Sequence, residues 1–165
     1  MRGRSLPEEP RFACDAMLGR TARWLRALGY DTAYEPHVED AELVRRAVTE
    51  RRIVLTKDRR IPEEWRIGGV VVLEGEGPVE ALREIDRRVG LEWRRELFTL
   101  CLECNVALER ATPGQVEAKA PPRVREEHDE FRRCPACERV YWPGGHVRRL
   151  RARLEEALGS RDSKA

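Results

Sequence analysis

Residues 12–32, FACDAMLGRTARWLRALGYDT, join a short apolar segment directly to a segment with helical periodicity. The apolar part, from residue 11 to Cys14, predicts a strand that ends at Asp15. In the part that follows, residues recur at helical spacing: Met17, Thr21, Trp24, Leu25 and Leu28. Gly29 marks the expected end of this helix. A strand that leads straight into an amphipathic helix is typical of α/β proteins.

The same alternation continues as far as residue 90. Residues 40–52 predict a second helix, whose expected buried stripe is Leu43, Val44, Ala47 and Val48. IVLTKD (53–58) and GGVVVLEG (68–75) predict apolar strands, and residues 78–90 predict a helix with proline at its start and glycine at its end. Strands that alternate with helices indicate a parallel sheet, and uniformly apolar strands indicate that both of its faces are covered. The predicted fold class is therefore α/β, a parallel sheet flanked by helices.

Four of the five cysteines form two CxxC pairs that are separated by 29 residues: Cys101, Cys104, Cys134 and Cys137. Zinc takes four ligands in a tetrahedron, thiolates suit it, and two CxxC turns supply four sulfurs. The spacing predicts a structural zinc ribbon; disulfides or a redox pair are the alternatives. We expect an α/β domain over residues 1–96, the ribbon over 97–148 with a polar loop at 111–131, and a basic helix with a disordered tail over 149–165.

Charge and hydropathy narrow the classes of partner. The formal net charge is only +2, although 38% of the residues are charged, so a general basic coat for nucleic acid is excluded while local patches are not. No stretch approaches the roughly 20 apolar residues that span a bilayer, and the first twelve residues contain no apolar signal-peptide core. We therefore expect a cytoplasmic protein with no membrane partner. A reducing cytosol also favours metal binding over disulfides at the CxxC pairs.

Acidic residues follow the predicted strands. Asp15 and Asp58 come directly after two of them, and Asp40 stands at the start of the second helix. In parallel α/β sheets, active residues gather at the carboxyl ends of the strands. Three converging carboxylates repel one another unless a cation lies between them, and oxygen ligands suit Mg²⁺ or Mn²⁺. Taken singly, Asp40 could instead be a helix N-cap and Asp58 a turn residue.

Several cations and aromatic residues are candidates for contact with nucleic acid. The first helix carries Arg20, Arg23 and Arg26 on a further face, which predicts either a solvated face or contact with phosphates. Tyr141 and Trp142 in the ribbon could stack on bases, or they could pack the ribbon against the α/β domain.

Four stretches of the chain together resemble the Mut7-C family, a PIN-like RNase domain with a C-terminal zinc ribbon. They are FACDAMLGRTARWLRALGYDT, IVLTKDRRI, CLECN and FRRCPACERVYWPGGHVRRL. The resemblance extends from about Arg11 to about Leu150. It implies a PIN-like fold, metal-dependent cleavage of RNA, and three PIN acids at Asp15, Asp40 and Asp58. PIN domains commonly carry one further acid between the first two; this sequence has no clear counterpart there, and the candidates to stand in for it are Glu35, Glu39 and Glu42.

The expected function is therefore a Mg²⁺- or Mn²⁺-dependent ribonuclease with RNA as its partner. Asp15, Asp40 and Asp58 would be the catalytic residues and metal ligands. Expected contacts to the RNA are Arg20, Arg23, Thr56, Lys57 and Arg59. The alternatives are a non-catalytic RNA- or ribosome-binding module, a phospho-acceptor domain of the receiver type, and a PIN toxin with a protein antidote. The sequence indicates no protein partner.

Overall fold

The fold is built on a parallel sheet, as predicted. The computed structural model describes residues 9–94 and 96–159. Four strands form the sheet: β1 (Phe12–Cys14), β2 (Thr32–Tyr34), β3 (Ile53–Thr56) and β4 (Val70–Val72). All pairings are parallel, and the strand order is β2-β1-β3-β4. Alternate residues of β1 and β3 belong to two different apolar clusters. Phe12 and Leu55 lie in one cluster, and Ala13 and Val54 lie in the other. This confirms that both faces of the sheet are covered.

Helices connect and cover these strands: α1 (Gly19–Ala27), α2 (Asp40–Glu50), α3 (Arg60–Glu64) and α4 (Pro78–Val89). Two predictions for single residues are wrong, the place of Met17 in the first helix and the burial of Val48. Met17 is 76% exposed and lies in a 3-10 turn that precedes α1, because the side chain of Asp15 accepts a hydrogen bond from its N–H and caps that turn. Val48 is 61% exposed, since the buried arc of α2 is centred on Ala47 and Val48 lies at its edge.

The cysteine-rich part forms a second, antiparallel sheet with strand order β5-β6-β7. Its strands are β5 (Glu109–Arg110), β6 (Arg132–Arg133) and β7 (Val140–Tyr141). The prediction of a loop at 111–131 is wrong, because that segment contains α5 (Pro113–Lys119) and α6 (Pro122–Glu127). Proline stands at the start of both helices, and Thr112 with Gln115 forms a reciprocal capping box on α5.

The chain then returns to the first sheet through α7 (Gly145–Leu158). This helix packs against α4, and Leu154 and Leu158 join Leu82 and Ile85 in one buried cluster. The helix thus begins before the predicted boundary at residue 149; the division of the chain into three units stays a prediction, and the predicted disordered tail lies outside the described residues from 160 onward. Among the helices that the structure describes, none has the length and apolar character to span a membrane.

Candidate metal centre and acidic site

The four cysteines of the two CxxC pairs come together at one point. The sulfur atoms of Cys101, Cys104, Cys134 and Cys137 all lie within 4.8 Å of one another. Within residues 9–94 and 96–159, this is the one group of three or more His, Cys, Asp or Glu side chains that is close enough to hold a metal ion. Four thiolates around one point are a donor set that zinc accepts. The predicted ligands can therefore bind a metal such as zinc.

The first pair, in CLECN, has the backbone of a metal knuckle. The N–H of Asn105 donates to the carbonyl of Cys101 (3.0 Å), and the N–H of Cys101 donates to the carbonyl of Val106 (2.8 Å). The N–H of Cys104 points at the sulfur of Cys101 (3.4 Å). Asn105 lies in the left-handed region with a φ of 59°, which asparagine tolerates better than most residues. The chain therefore turns back immediately after the second cysteine.

The second pair repeats this arrangement bond for bond. The N–H of Glu138 donates to the carbonyl of Cys134 (2.9 Å), and the N–H of Cys134 donates to the carbonyl of Arg139 (2.9 Å). The N–H of Cys137 points at the Cys134 sulfur (3.5 Å), and Glu138 has a φ of 61°. Two separate segments with one conformation are what a shared tetrahedral ion requires, since each contributes two sulfurs from the same side of a turn.

The hydroxyl of Tyr141 lies 3.1 Å from the sulfur of Cys101 and accepts a hydrogen bond from the N–H of Leu102. Burial on its own would raise the pKa of Cys101, but hydrogen bonds from Tyr141 and from the N–H groups of Cys104 and Glu103 lower that pKa to about 7. A thiolate at this position is the form that binds metal. Tyr141 therefore bonds within the ribbon itself, and the two roles predicted for it, stacking on bases and packing the ribbon against the α/β domain, stay predictions.

Arg26 joins the first knuckle to the α/β unit. Its side chain donates to the carbonyls of Leu102 (2.8 Å) and Glu103 (2.9 Å), which lie between the two cysteines, and to that of Thr32 in β2 (3.0 Å). Only 4% of Arg26 is exposed, so the expectation that it belongs to a solvated or phosphate-binding face is wrong. Its neighbour Arg23 forms an ion pair with Glu103.

A second attachment uses the side chain of Asn105. Its carbonyl oxygen accepts from the N–H of Thr32 (2.9 Å), and its amide nitrogen donates to Asp31 (2.6 Å). Asn105 thereby bonds to one backbone group and one side chain at the start of β2. The knuckle is held to the sheet at a fixed angle as well as a fixed distance.

Asp15 and Asp58 lie at the carboxyl edge of the parallel sheet. From β1 the chain continues to β2, which lies toward one edge of the sheet, whereas from β3 it continues to β4, which lies toward the opposite edge. The gap between β1 and β3 is therefore the topological switch point, where open α/β sheets bind their ligands. Asp15 directly follows β1, and Asp58 follows β3 by two residues.

Thr56, the last residue of β3, links these two acids. Its hydroxyl donates to Oδ2 of Asp15 (2.5 Å) and accepts from the N–H of Asp58 (2.9 Å). Asp15 also accepts from the N–H groups of Lys57 (3.2 Å, at Oδ2) and Met17 (2.8 Å, at Oδ1). Three of the roughly four lone-pair positions of the carboxylate are thus occupied, and the one that is left is on Oδ1. The site fixes Asp15 in a single orientation.

Arg60 is the cation that pairs with Asp58. Its guanidinium group contacts both carboxylate oxygens of Asp58, with 2.5 Å between Nη2 and Oδ2. Hydrogen bonds from the side chain and backbone of Arg60 lower the pKa of Asp58. Asp58, and to a smaller extent Asp40, in turn raise the pKa of Arg60. In the described part of the chain, the carboxylates of Asp15, Asp40 and Asp58 do not lie close enough together to form a metal-binding group.

The predicted RNA contacts lie in different places. Arg20 is exposed on α1, and Lys57 borders Asp15 through its backbone N–H. Arg59 forms an ion pair with Glu74 (2.6 Å). The roles of these cations, of Thr56 and of the three aspartates stay predictions.

Sequence reasoning gave Arg26 the wrong role and missed Asn105 and Arg60. Asn105 carries a usable signal, since asparagine directly after CxxC suits a left-handed residue. For Arg60 the signal is an arginine two residues after an aspartate at a helix start.

Among family models, curated proteins and solved structures, the chain matched a family model. No curated protein and no solved structure matched the chain. Residues 10–154 match the family model described as the Mut7-C RNAse domain, which covers both the acidic edge of the sheet and the four cysteines. That family indicates a ribonuclease and hence RNA as the substrate. The chain therefore belongs to the Mut7-C RNAse domain family.

Proposed function

We propose that this protein is a ribonuclease that hydrolyses RNA phosphodiesters at the carboxyl edge of its parallel sheet, with Mg²⁺ or Mn²⁺ as cofactor and zinc in the ribbon. The single observation that carries the proposal is the hydroxyl of Thr56, which joins Asp15 to the backbone of Asp58 at the switch point of the sheet. In a chain of an RNase family, a carboxylate fixed at that position and a second one two residues after the neighbouring strand are the natural acids for catalysis.

The chemistry of the donors suits a hard divalent cation, although the three carboxylates do not lie close enough together in the described residues to surround one. Mg²⁺ and Mn²⁺ prefer carboxylate oxygens, and Asp15 keeps one lone-pair position on Oδ1. Arg60 occupies both oxygens of Asp58, so it competes with a cation for that carboxylate. Asp15, Asp40 and Asp58 are the residues that would hold the ion. When bound, such an ion supplies positive charge to the phosphodiester and lowers the pKa of water.

The chain's own residues have distinct proposed roles. Thr56 and the N–H of Lys57 hold Asp15 in one orientation, so the carboxylate is in place before substrate arrives. The side chains of Lys57 and Arg59, next to the acids along the chain, attract the phosphates of the strand. Arg60 neutralises Asp58 while the site is empty and can turn to a phosphate oxygen when the strand is bound.

The test is cleavage of a single-stranded RNA in the presence of Mn²⁺ by the wild-type protein and by Asp15→Asn and Asp58→Asn. Asp129→Asn is the matched control, because Asp129 is an exposed aspartate of the segment between the cysteine pairs. We expect more than about 100-fold loss of kcat in both acidic variants, each with unchanged zinc content and circular dichroism, and wild-type rates in the control. Cleavage at the wild-type rate by well-folded Asp15→Asn protein would overturn the proposal.

One observation favours the second candidate function, a non-catalytic RNA-binding module. Asp58 is already neutralised by Arg60, and the three carboxylates do not lie at metal-binding distance in the described residues. A binding module would need no divalent ion. RNA binding that is retained by all variants, together with an absence of cleavage by wild-type protein, would support this second function and refute the first.

A further inference from the structure

We propose that the groove between the ribbon and α7 is a subsite for one unpaired nucleobase of single-stranded RNA, with Trp142 as its stacking platform. This inference rests on the proposed RNA substrate but not on the acidic site. The groove has a volume of about 210 Å³. Apolar side chains of Leu97, Phe98 and Val147 line it, together with two arginines and two acids, Arg132, Arg151, Glu96 and Glu130.

The indole of Trp142 is held in place from behind. Its ring packs against the buried ring of Phe131, with 6.3 Å between the ring centroids. On another side it lies so close to Gly144 that a β-carbon there would be 2.9 Å from the indole nitrogen. Trp142 is nevertheless only half buried and faces the groove. A fixed aromatic ring with an open side can stack on a base without loss of much side-chain freedom.

Trp142 also borders a second depression, of about 330 Å³, on the other side of the ribbon. Arg23, Lys119 and Arg139 lie there. Arg23 and Arg139 share the carboxylate of Glu103, and Glu138 also lines the depression, so three cations stand against two acids. An aromatic platform beside surplus positive charge is the combination that binds a single strand, with the base on the ring and the phosphates on the cations.

The opposite wall of the groove is equally fixed. Phe98 has a φ of 58°, a left-handed conformation that aromatic residues rarely adopt, and its N–H donates to the carbonyl of Ala27 at the end of α1 (2.8 Å). Arg132 is ion-paired with Glu96 and also contacts the carbonyl of Phe98. The groove is thus preformed, with an aromatic ring, apolar side chains and charged groups in its lining, a combination that can take the ring and the polar edge of a base.

The test is binding of a fluorescein-labelled 12-nucleotide single-stranded RNA, followed by anisotropy. Zinc-loaded full-length protein is used without added Mg²⁺ or Mn²⁺, so that cleavage does not interfere. We expect Trp142→Ala to raise the Kd roughly 5- to 150-fold, as stacking of one base predicts, and Trp142→Phe to recover most of the affinity. Val106→Ala, which shortens another exposed apolar residue of the ribbon, should bind like wild type.

A second arm uses RNAs in which single bases are removed in turn. Removal of the base that occupies the groove should weaken binding to the wild-type protein by the same factor as Trp142→Ala, and should have no further effect on that variant. Wild-type affinity in zinc-replete Trp142→Ala, no RNA binding by the wild type, or additive losses at every position would each overturn the proposal.

The two proposals can fail separately. RNA cleavage by the wild type with an unchanged KM in Trp142→Ala would leave the ribonuclease standing and refute the base subsite. Base-dependent binding through Trp142, without any cleavage in Mn²⁺, would do the reverse.

Discussion

Arg26→Met should destabilise the protein far more than Arg23→Ala, although the two arginines are one turn apart on α1. Methionine keeps an unbranched apolar chain in the space of the arginine stem, so the change isolates the loss of the guanidinium donors. Three hydrogen bonds disappear, to the carbonyls of Thr32, Leu102 and Glu103.

The size of the effect follows from these contacts. A hydrogen bond from a charged donor contributes about 1.5–3 kcal/mol, but relief from the cost of burying the guanidinium and access of water to the outer carbonyls offset part of the sum. We expect the free energy of unfolding to fall by about 3–5 kcal/mol and the Tm by roughly 10 °C. Arg23 forms only an exposed ion pair with Glu103, so Arg23→Ala should cost less than about 1 kcal/mol.

The assay is urea unfolding of the zinc-loaded proteins, paired with the rate at which a chromophoric chelator removes zinc. Because Arg26 bonds to the carbonyls between Cys101 and Cys104, its loss should also speed zinc release. A change below 1 kcal/mol in Arg26→Met, or an equal loss in Arg23→Ala, would refute the claim that Arg26 fastens the knuckle to the sheet.

Three further outcomes are expected. Thr56→Val should lower the unfolding free energy by about 1–3 kcal/mol in urea, since it leaves Oδ2 of Asp15 and the N–H of Asp58 without their hydroxyl partner, and unchanged stability would contradict that link. Arg60→Gln should raise the pKa of Asp58, which Arg60 now lowers; an NMR titration of the carboxyl carbon should then show protonation beginning at a higher pH than in wild type, and an identical titration would exclude the pairing. Cys134→Ser should lose bound zinc, measured by metal analysis, and the order of the ribbon, measured by near-ultraviolet circular dichroism. The reason is that zinc binding in such sites contributes on the order of 10 kcal/mol. A stable, ordered ribbon without zinc would argue against a structural metal.

Local patterns in the sequence were sufficient for the main framework. Apolar strands between amphipathic helices predicted the parallel sheet, Pro78 and Gly90 marked the ends of α4, and the spacing of four cysteines predicted their cluster. Each of these signals lies within a few residues or rests on one residue type with strict chemistry.

Contacts between distant segments were beyond such patterns. Arg26 donates a hydrogen bond to the carbonyl of Leu102, 76 residues further along the chain. A row of arginines on a helix does not indicate such a contact. Polar composition and prolines between the cysteine pairs indicated a loop, whereas the capping box of Thr112 and prolines at helix starts produce two short helices. The pairing of Arg60 with Asp58 depends on side-chain rotamers, which sequence periodicity does not specify.

The return of α7 to α4 has a consequence for synthesis on the ribosome. Leu97 lies before the first cysteine pair, and Leu154 and Leu158 lie after the second, yet all three are buried in one cluster with residues of α1 and α4. At about 5–20 residues per second, the chain from Leu97 to Leu158 takes several seconds to emerge, and the apolar side of α4 stays uncovered for that time. The apolar cluster on this face of the nascent sheet is therefore complete only when α7 has packed against α4. A ribosome that stalls within the cysteine-rich segment leaves a partly folded chain with exposed apolar surface, which is prone to aggregation.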